Sequence, residues 1–484
     1  MADLRMTDGR VRFWIWQGLA LVRYFEGRFR RARAAARRAL ASAMQASFPY
    51  ARVLALDLLA HILVHTGELH AGMRLLEQAA QLAASLGYAD NAITLRTSVV
   101  VHELEYLLRD VASAITRAEQ TLAEPGVSFF TRRNGLIELA KAQALHGRRD
   151  EAAQALAEAR RISLPGTDRR GKSRWLAAQA LSLLLCEGEA AARPVVAQAR
   201  RAADGHAPLL AEVAFLEAML IGPRPDLVEE LLDLAKRTGM ARAKVAHAFA
   251  TGSGLPEPAT VEDGLCRALL RCRDAAAEQR IHVLVEERLL GLVAWALNKP
   301  PGQHLILLAD RLICDDRGGV SVVPAPPGPS RRVLVSLGSG YKSREALAEC
   351  VWGLKRYVAS KHSAVINTAM SRLRAALPEP GWVVTADDGY RVAAGVQVIV
   401  LGDELPMAST SAPPPPSDEM RIVAMLRAHG TASSADVARV LGISPSTALR
   451  ALRRMVGDGR VRRLGSGRAT RYVLVDGEDH QASR

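Results

Sequence analysis

Aromatic residues, paired cysteines and long apolar runs are all scarce in this 484-residue chain. Phe, Trp and Tyr make up only 5% of it, whereas hydrophobic residues reach 49% and alanine is abundant, which favours packed helices. The five cysteines are scattered and odd in number, so we expect reduced thiols and neither disulfides nor a metal site. No apolar run is long enough to span a membrane, and the N-terminal MADLRMTDGRVRFW lacks a signal-peptide core. A cytoplasmic protein without a membrane partner is expected.

The motifs of common catalytic sites are also missing. The sequence contains no His-Glu-x-x-His metal motif and no nucleophile elbow. Four histidines lie in helical patterns, where packing or surface positions are the simpler interpretation: His61, His65, His70 and His102. We therefore expect a protein that is not an enzyme and that needs no cofactor.

One segment does fit a phosphate-binding pattern. Residues Gly166–Ser173 read GTDRRGKS, which satisfies G-x4-G-K-S. That loop binds phosphate when it follows a buried strand and opens a helix. Here the preceding segment is an Ala/Arg-rich helix, so a chance match in a turn between helices is the preferred interpretation. A nucleotide-driven switch through Lys172 is the alternative.

Positive charge is concentrated in two short segments. The chain has a formal net charge of +14. Residues 331–377 hold nine Lys/Arg and two acidic residues, and residues 417–475 hold eleven Arg and four acidic residues, so each segment carries +7. Two segments thus account for the whole excess, which is the pattern expected for a nucleic-acid partner.

Residues 10–300 consist of helical segments separated by recurring small turns. Turn glycines stand at 27, 67, 147 and 188, spaced by 40, 80 and 41 positions, and Arg109-Asp110 falls near the middle of the double gap. An Ala-rich helix follows each turn. The pattern resembles tetratricopeptide (TPR) helix pairs, with a period longer than the usual 34, and another α-solenoid is the alternative. The Gly/Pro-rich region 239–262 is predicted to be a break before the last helices.

From Leu305 the pattern changes to strands. The run LILLADRLICDDRGGVSVVPAP alternates in hydrophobicity, and Asp316–Gly319 is a hairpin-turn signal within it. The proline-rich stretch Pro324–Pro329 is predicted to be a loop. The glycine-containing segment Val333–Gly340 is interpreted as too short for a regular helix.

Residues 343–392 combine an amphipathic helix with a hairpin. Ile366, Met370, Leu373 and Leu377 form one apolar stripe, and the opposite face is small, polar and cationic. Two short strands follow, joined by Asp387-Asp388-Gly389. Three blocks, SREALAECVWG, SRLRAAL and a T…GYRV wing, resemble the OmpR/PhoB-type winged-helix DNA-binding domain.

That resemblance implies a domain at 303–402 and a set of DNA contacts. Four residues on the outer helix face would contact bases: Asn367, Thr368, Ser371 and Arg372. Three cations would contact phosphates: Lys361, Arg374 and Arg391. These roles are implied by the family and by the exposed helix face, which suits a major-groove contact.

A proline-rich linker at 403–417 precedes a second module at 418–476. Its first helix is expected at Met420–His429, and its second is expected to run from a Ser433 or Ser434 cap to Gly442. The third begins at Ile443 and carries an apolar stripe of Ala448, Leu452 and Met455. The module resembles the winged helices of MarR- and IclR-like regulators through its S-x-S-T-x-x-R-x-L pattern and its wing. The implied DNA-contacting residues are Ser446, Thr447, Arg450 and Arg454 on the helix and Arg463 and Arg468 in the wing, where Arg462 and Arg471 also lie.

Together these features predict a mainly α chain, a TPR-like α-solenoid (1–300) followed by two winged-helix α+β domains. The predicted function is a sequence-specific, DNA-binding bacterial transcriptional regulator, cytoplasmic and associated with the nucleoid. Its partners would be double-stranded DNA, a protein or peptide on the helical repeats and a second copy of the chain in a homodimer. The alternative is a protein-interaction scaffold whose winged helices hold proteins or bind DNA non-specifically, and the solenoid could also serve only as a dimerisation or spacing element.

Overall fold

The computed structural model describes residues 8–162, 168–401, 418–441, 445–465 and 470–475, and within these ranges the chain is mainly helical with small sheets. It divides into two compact units, Met1–Leu405 and Pro406–Arg484. The division falls inside the predicted linker 403–417, all of which lies outside the described residues. Among the helices described, none is both long and apolar enough to cross a membrane.

The first ten helices pack as consecutive pairs joined by short turns. Because a turn of two to five residues reverses the chain, the two helices of a pair lie side by side. Their alanines allow close approach: the buried face of the second helix is made largely of Ala32, Ala35, Ala36 and Ala39. The ten helices are α1 (Gly9–Phe25), α2 (Phe29–Gln45), α3 (Pro49–Thr66), α4 (Leu69–Ser85), α5 (Ala89–Glu105), α6 (Val111–Ala123), α7 (Phe129–His146), α8 (Arg149–Arg161), α9 (Arg169–Cys186) and α10 (Glu189–Ala203).

The predicted turns all lie at junctions within these pairs. Gly67 and Gly147 end α3 and α7 in the left-handed conformation, with φ of 95° and 91°, which glycine adopts without steric cost. At the junction without glycine, Asp110 caps α6 by accepting the Ser113 N–H at 3.0 Å. The recurrence in the sequence therefore reports a real repeat of helix pairs.

Six more helices follow: α11 (Ala207–Leu216, continued by a π-helical turn at Glu217–Ile221), α12 (Pro225–Thr238), α13 (Ala241–Thr251), α14 (Gly264–Cys272), α15 (Ala277–Glu286) and α16 (Val293–Ala296). The prediction of a break across 239–262 was wrong over most of its first half, because α13 occupies it. Gly239 and Gly252 stand just beyond the ends of α12 and α13, each with positive φ. They terminate helices, so their density marked helix ends and not the absence of a helix.

The later helices return to the first pairs. A Cβ on Gly27 would lie 3.2 Å from Pro208 and Thr238, and one on Gly67 would lie 2.8 Å from the Ala241 side chain. Residues of α1, α2, α11, α12 and α13 share one hydrophobic core. The helical region therefore closes upon itself and encloses an inner surface.

Residues 303–401 form seven strands and three helices. The predicted hairpin turn at Asp316–Gly319 is confirmed, since the Asp316 carboxylate accepts the Gly318 and Gly319 N–H groups at 2.8 Å. The elements are β1 (Gln303–Leu307), β2 (Arg311–Asp315), β3 (Val320–Pro324), α17 (Gly328–Gly338), β4 (Lys342–Ser343), α18 (Arg344–Trp352), α19 (Ala359–Ala376), β5 (Val383–Ala386), β6 (Gly389–Val392) and β7 (Val396–Val400).

The helix α17 corrects two sequence expectations. The segment Val333–Gly340 was expected to be too short and glycine-rich for a helix, yet most of it lies in α17, where Val333, Leu334 and Leu337 are buried. The predicted loop Pro324–Pro329 ends early, because the helix already begins at Gly328. Proline suits this first turn, and the burial of three apolar side chains outweighs the poor helix propensity of terminal glycines.

In the four-stranded sheet, whose order is β3-β2-β1-β7, the central strands β1 and β2 are buried on both faces. Alternate residues point to opposite sides, so Ile306, Leu308 and Ile313 join the core of the helical region. Leu305, Leu307, Leu312 and Cys314 join the core beneath α17, α18 and α19. One thin sheet therefore links the two halves of the Met1–Leu405 unit.

A buried ion pair reinforces this link. Arg149 at the start of α8 lies 2.8 Å from an Asp315 carboxylate oxygen, and both side chains are at most 5% exposed. The other Asp315 oxygen hydrogen bonds to His304 Nδ1 at 3.2 Å. The Val320 N–H donates to the Gly147 carbonyl at 2.9 Å, so main chain also joins the two halves.

The Pro406–Arg484 unit contains three helices and a three-stranded antiparallel sheet, in the order β8-β10-β9, among its described residues. Ser433 is the cap of the second helix: its hydroxyl accepts the Asp436 N–H at 3.2 Å, and the Asp436 carboxylate accepts the Ser433 N–H at 3.2 Å. The predicted stop at Gly442 lies outside the described residues. The elements are α20 (Asp418–His429), β8 (Thr431–Ala432), α21 (Ser434–Leu441), α22 (Pro445–Gly457), β9 (Val461–Leu464) and β10 (Arg471–Leu474).

Candidate nucleic-acid interfaces

The helix α19 presents a polar, cationic face to solvent. The predicted stripe of Ile366, Met370 and Leu373 is buried, with Leu377 just beyond the helix end. On the opposite side five of the predicted contact residues are exposed: Lys361, Asn367, Thr368, Ser371 and Arg372. The sequence therefore assigned the two faces of this helix correctly.

Contacts from α17 and from the β5–β6 hairpin hold α19 in place. The Ser330 hydroxyl of α17 donates to the Ala369 carbonyl at 3.0 Å. From the β5–β6 hairpin, the Tyr390 hydroxyl donates to Asn367 Oδ1 at 2.9 Å. The hairpin packs tightly on β4, since a Cβ on Gly389 would lie 2.2 Å from the Lys342 carbonyl oxygen. A helix fixed in this way can present side chains to a groove without reorganising.

The cations of this region have no acidic partners among the residues that the structure describes. None of the nine Lys/Arg residues between 331 and 377 forms an ion pair with a described residue. Arg372, Lys361 and the hairpin residue Arg391 are exposed and without a partner in the part of the chain that the structure describes. They are free to contact phosphate or bases.

Arg374 differs from the other predicted contacts. It is half-buried, its Nε donates to the Val383 carbonyl at 3.0 Å, and one Nη donates to the Thr385 hydroxyl at 2.9 Å. The guanidinium therefore ties α19 to the hairpin. Thr368 also uses its hydroxyl internally, donating to the Ala364 carbonyl at 2.7 Å.

The helix α22 has the same division of faces in the second unit. Ala448, Leu452 and Met455 are fully buried, as predicted, while Arg450 and Arg454 are exposed. Arg450 has no ion-pair or hydrogen-bond partner among the described residues. The side chains of Ser446 and Thr447 lie outside the described residues.

The β9–β10 hairpin adds further arginines. Arg462, Arg463 and Arg471 are exposed, and the latter two make long hydrogen bonds of 3.4 and 3.5 Å to the hydroxyls of Thr470 and Thr431. Arg468 lies outside the described residues. The hairpin therefore carries positive charge on both of its strands, as the sequence predicted for a DNA-contacting wing.

Comparison with known proteins identifies the second unit. Residues 419–462 match the family of winged helix-turn-helix DNA-binding domains, from α20 to the start of β9. No curated protein is similar to the chain. The chain therefore carries a winged helix-turn-helix DNA-binding domain at 419–462, and this domain is indicative of a DNA-binding regulator.

The phosphate-loop match does not have phosphate-loop geometry where it is described. The described element that precedes the motif is helix α8, whereas a phosphate loop follows a strand. Gly171–Ser173 lie inside α9, and the Lys172 side chain is exposed to solvent. Gly166 and Thr167 lie outside the described residues. Gly171 has a packing role, because a Cβ there would lie 2.3 Å from Asp168 Oδ2 and 2.5 Å from an Arg133 nitrogen. The glycine is thus needed for the Arg133–Asp168 ion pair.

The sequence analysis missed a polar cluster inside the helical region. His61 Nδ1 and His102 Nε2 are 2.9 Å apart, and His65 lies between the hydroxyls of Tyr24 (3.0 Å) and Tyr106 (3.3 Å). These histidines were interpreted as packing or surface residues, but they hydrogen bond to one another and to tyrosines. His70, by contrast, is exposed.

The signal for this cluster was present in the sequence. Tyr24, His65 and Tyr106 are spaced by 41 positions, as are His61 and His102. The glycine turns recur at the same spacing, so equivalent positions of successive helix pairs come into contact. Burial lowers the pKa of His65 to about 3 and raises that of Tyr24 to about 12, so both are neutral at pH 7. No three His, Cys, Asp or Glu side chains within the described ranges are arranged to hold a metal ion.

Proposed function

We propose that this protein is a sequence-specific transcriptional regulator that reads DNA with its C-terminal winged helix and responds to a signal through its helical region. The observation that carries the proposal is the exposed, unpartnered Arg450 on α22, within residues matched to a DNA-binding family. Arginine on a major-groove helix is the side chain that most often specifies guanine. The same face bears Arg454.

We further propose that residues 303–401 form a second, OmpR/PhoB-type winged helix. The order of three helices followed by the β5–β6 hairpin supports this, as do the exposed polar face of α19 and the cations without acidic partners. Arg372 would then contact bases, and Lys361 and Arg391 would contact phosphates. Arg374 would act by fixing the hairpin against α19.

The helical region is proposed to be a TPR-like solenoid with a sensing role. The 41-residue recurrence of contacting positions and the enclosed inner surface support a role beyond spacing or dimerisation. The proposed regulator has no enzymatic activity, acts in the cytoplasm on the nucleoid and can associate through its helices with a protein partner or a second copy.

Selection of bound duplexes from a random DNA pool tests this proposal. The full chain and a shortened chain ending at Ser411 would be selected at near-physiological salt, because low salt exaggerates non-specific binding. We expect the full chain to select a DNA motif with two half-sites, and the shortened chain to select a motif with only one of them. An unenriched pool would contradict sequence-specific regulation and favour a protein-interaction scaffold.

A matched pair of variants then tests the proposed reading helix. Arg450→Ala is expected to cost about 1–3 kcal/mol on the selected site and to relax preference at one position. Arg427→Ala removes the same charge from the exposed surface of α20 and should leave the preference unchanged. Equal losses for Arg450→Ala on every sequence would reduce its role to a phosphate contact.

A further inference from the structure

The helical region encloses a cavity of about 790 Å³. Its wall is built by the first helix of each pair, α1, α3, α5, α7 and α9, together with α11 and the start of α13. Among the described residues, the second helices α2, α4, α6, α8, α10 and α12 contribute nothing to it. The volume lies within the range of pockets that bury a small organic molecule.

The carboxylates that line this cavity all have partners. Asp57 pairs with His61, and Glu105 pairs with His102 at 3.0 Å. Asp168 pairs with Arg133, and Glu212 with the buried Lys141. Each of these carboxylates therefore already has a hydrogen-bonding or ion-pair partner within the protein.

The arginines lining the cavity are not balanced in the same way. Arg133, Arg174 and Arg242 each pair with a carboxylate. Arg170 on α9 has no acidic partner among the described residues, and its guanidinium lies 4.7 Å from the Phe25 ring centre. One cation of the wall is thus left without a counter-ion.

Exposed aromatic rings accompany Arg170 in the wall of the cavity. Trp14, Phe25 and Phe130 line the cavity and are 46–52% exposed, which is unusual for large apolar side chains. Arg133 lies 5.1 Å from the Phe130 ring centre, so cationic and aromatic groups alternate along this part of the wall. Such a surface can contact the apolar part of a ligand beside a group that binds its anionic part.

We propose that the cavity binds a small organic anion whose carboxylate or similar group contacts Arg170, while its apolar body covers Phe25 and Phe130. Arg170 is exposed, lines the cavity and has no acidic partner among the described residues, so it gives the anionic group a site that the protein does not fill itself. The regulatory meaning of this site rests on the proposed DNA-binding function, but ligand binding does not.

Calorimetric titration of the full chain at pH 7 tests the site. The probes are octanoate and 4-phenylbutyrate, their neutral amides octanamide and 4-phenylbutanamide, and inorganic phosphate. We expect at least one carboxylate to bind with one-to-one stoichiometry, and at least tenfold tighter than both its own amide and phosphate. Absence of saturable binding by both carboxylates, or equal binding of acid and amide, would overturn the proposal.

Two variants of α9 assign the binding to the cavity. Arg170→Gln should weaken binding of the carboxylate at least tenfold and leave binding of the amide within twofold. Lys172→Gln removes an equal charge two residues away, on the solvent side of the helix, and should leave both within twofold. Equal effects of the two variants would mean that the anion binds by surface charge only and would overturn the site.

Anisotropy of a labelled selected duplex, with and without the binding carboxylate, reports separately on regulation. A change in DNA affinity that Arg170→Gln abolishes is expected if the cavity is the sensor. If the carboxylate binds but no duplex can be selected, the proposed regulatory function fails and the cavity site stands. If a duplex is selected but no carboxylate binds, the cavity proposal fails and the regulatory function stands.

Discussion

Removal of either member of the Arg149–Asp315 ion pair should destabilise the Met1–Leu405 unit strongly. Arg149 also donates to the main-chain carbonyls of Asp316 and Leu185, and neither member of the pair can reach water in the folded state. Arg149→Met or Asp315→Asn leaves the other group buried without its counter-ion, which costs about 3–5 kcal/mol in comparable pairs. The double variant removes both charges, so we expect its free energy of unfolding to fall by clearly less than the sum of the two single-variant losses.

Tryptophan fluorescence during urea unfolding measures these losses in the full chain. All six tryptophans belong to the Met1–Leu405 unit, so unfolding of the second unit is not detected. A loss of about 3 kcal/mol lowers the urea midpoint by about 1 M if the slope is near 3 kcal/mol/M. The tryptophans are Trp14, Trp16, Trp175, Trp295, Trp352 and Trp382.

An exposed ion pair in the same sheet provides the control. Asp310 and Arg311 are 3.2 Å apart but largely exposed, and Arg311→Met should therefore cost less than about 1 kcal/mol. The reasoning would be refuted if Arg149→Met or Asp315→Asn lowered the free energy of unfolding by no more than this control does. It would also be refuted if the loss in the double variant equalled the sum of the two single-variant losses, because the charges would then not interact.

Three further predictions concern the proposed DNA-contact region of residues 303–401 and the histidine cluster. Arg372→Ala should weaken binding to the selected duplex by about 1–3 kcal/mol, and the equally exposed Arg317→Ala should not; equal losses in anisotropy titrations would contradict a role in reading DNA. Because the folded pKa of His65 is about 3 and the unfolded value about 6.5, the unfolded chain takes up the proton first, and stability falls as the pH drops through this window. At pH 5 the loss is about 2 kcal/mol, and urea unfolding of His65→Phe should lack this increment between pH 7 and 5. Gly389→Ala places a Cβ against the β4 backbone and should lower the urea midpoint, whereas Gly381→Ala, in open space, should not; matching midpoints would argue against the tight hairpin contact.

The sequence was informative where one local pattern decides the structure. The stripe of Ile366, Met370 and Leu373 fixed both the helix and its buried face, because helical period and burial give the same answer. The Asp316–Gly319 turn was equally clear, since its carboxylate bonds to its own backbone. In the second unit, the Ser433 cap and the Ala448 stripe are local signals of the same kind.

Sequence reasoning failed where packing outweighed local propensity. Helix α17 has glycines at both ends and only eleven residues, and it is held by side chains buried against α19 and the sheet. Helix α13 lies in a stretch whose glycines and prolines predicted a break, although those glycines only end helices. Composition reports where helices stop, but tertiary contacts decide whether a short segment between two stops is helical.

By itself the sequence determined the spacing of about 40 residues between turns, the two cationic segments and the polar faces of α19 and α22, because these depend on spacing along the chain. Only the tertiary structure decided that Arg170, Arg174 and His206 surround one cavity, and that a single sheet joins the helical region to α19. Such groups are distant in sequence and meet only when the first and last helix pairs come together. The physical reason is that the closure of the helical region depends on the sum of many small rotations between helix pairs, which no single segment encodes.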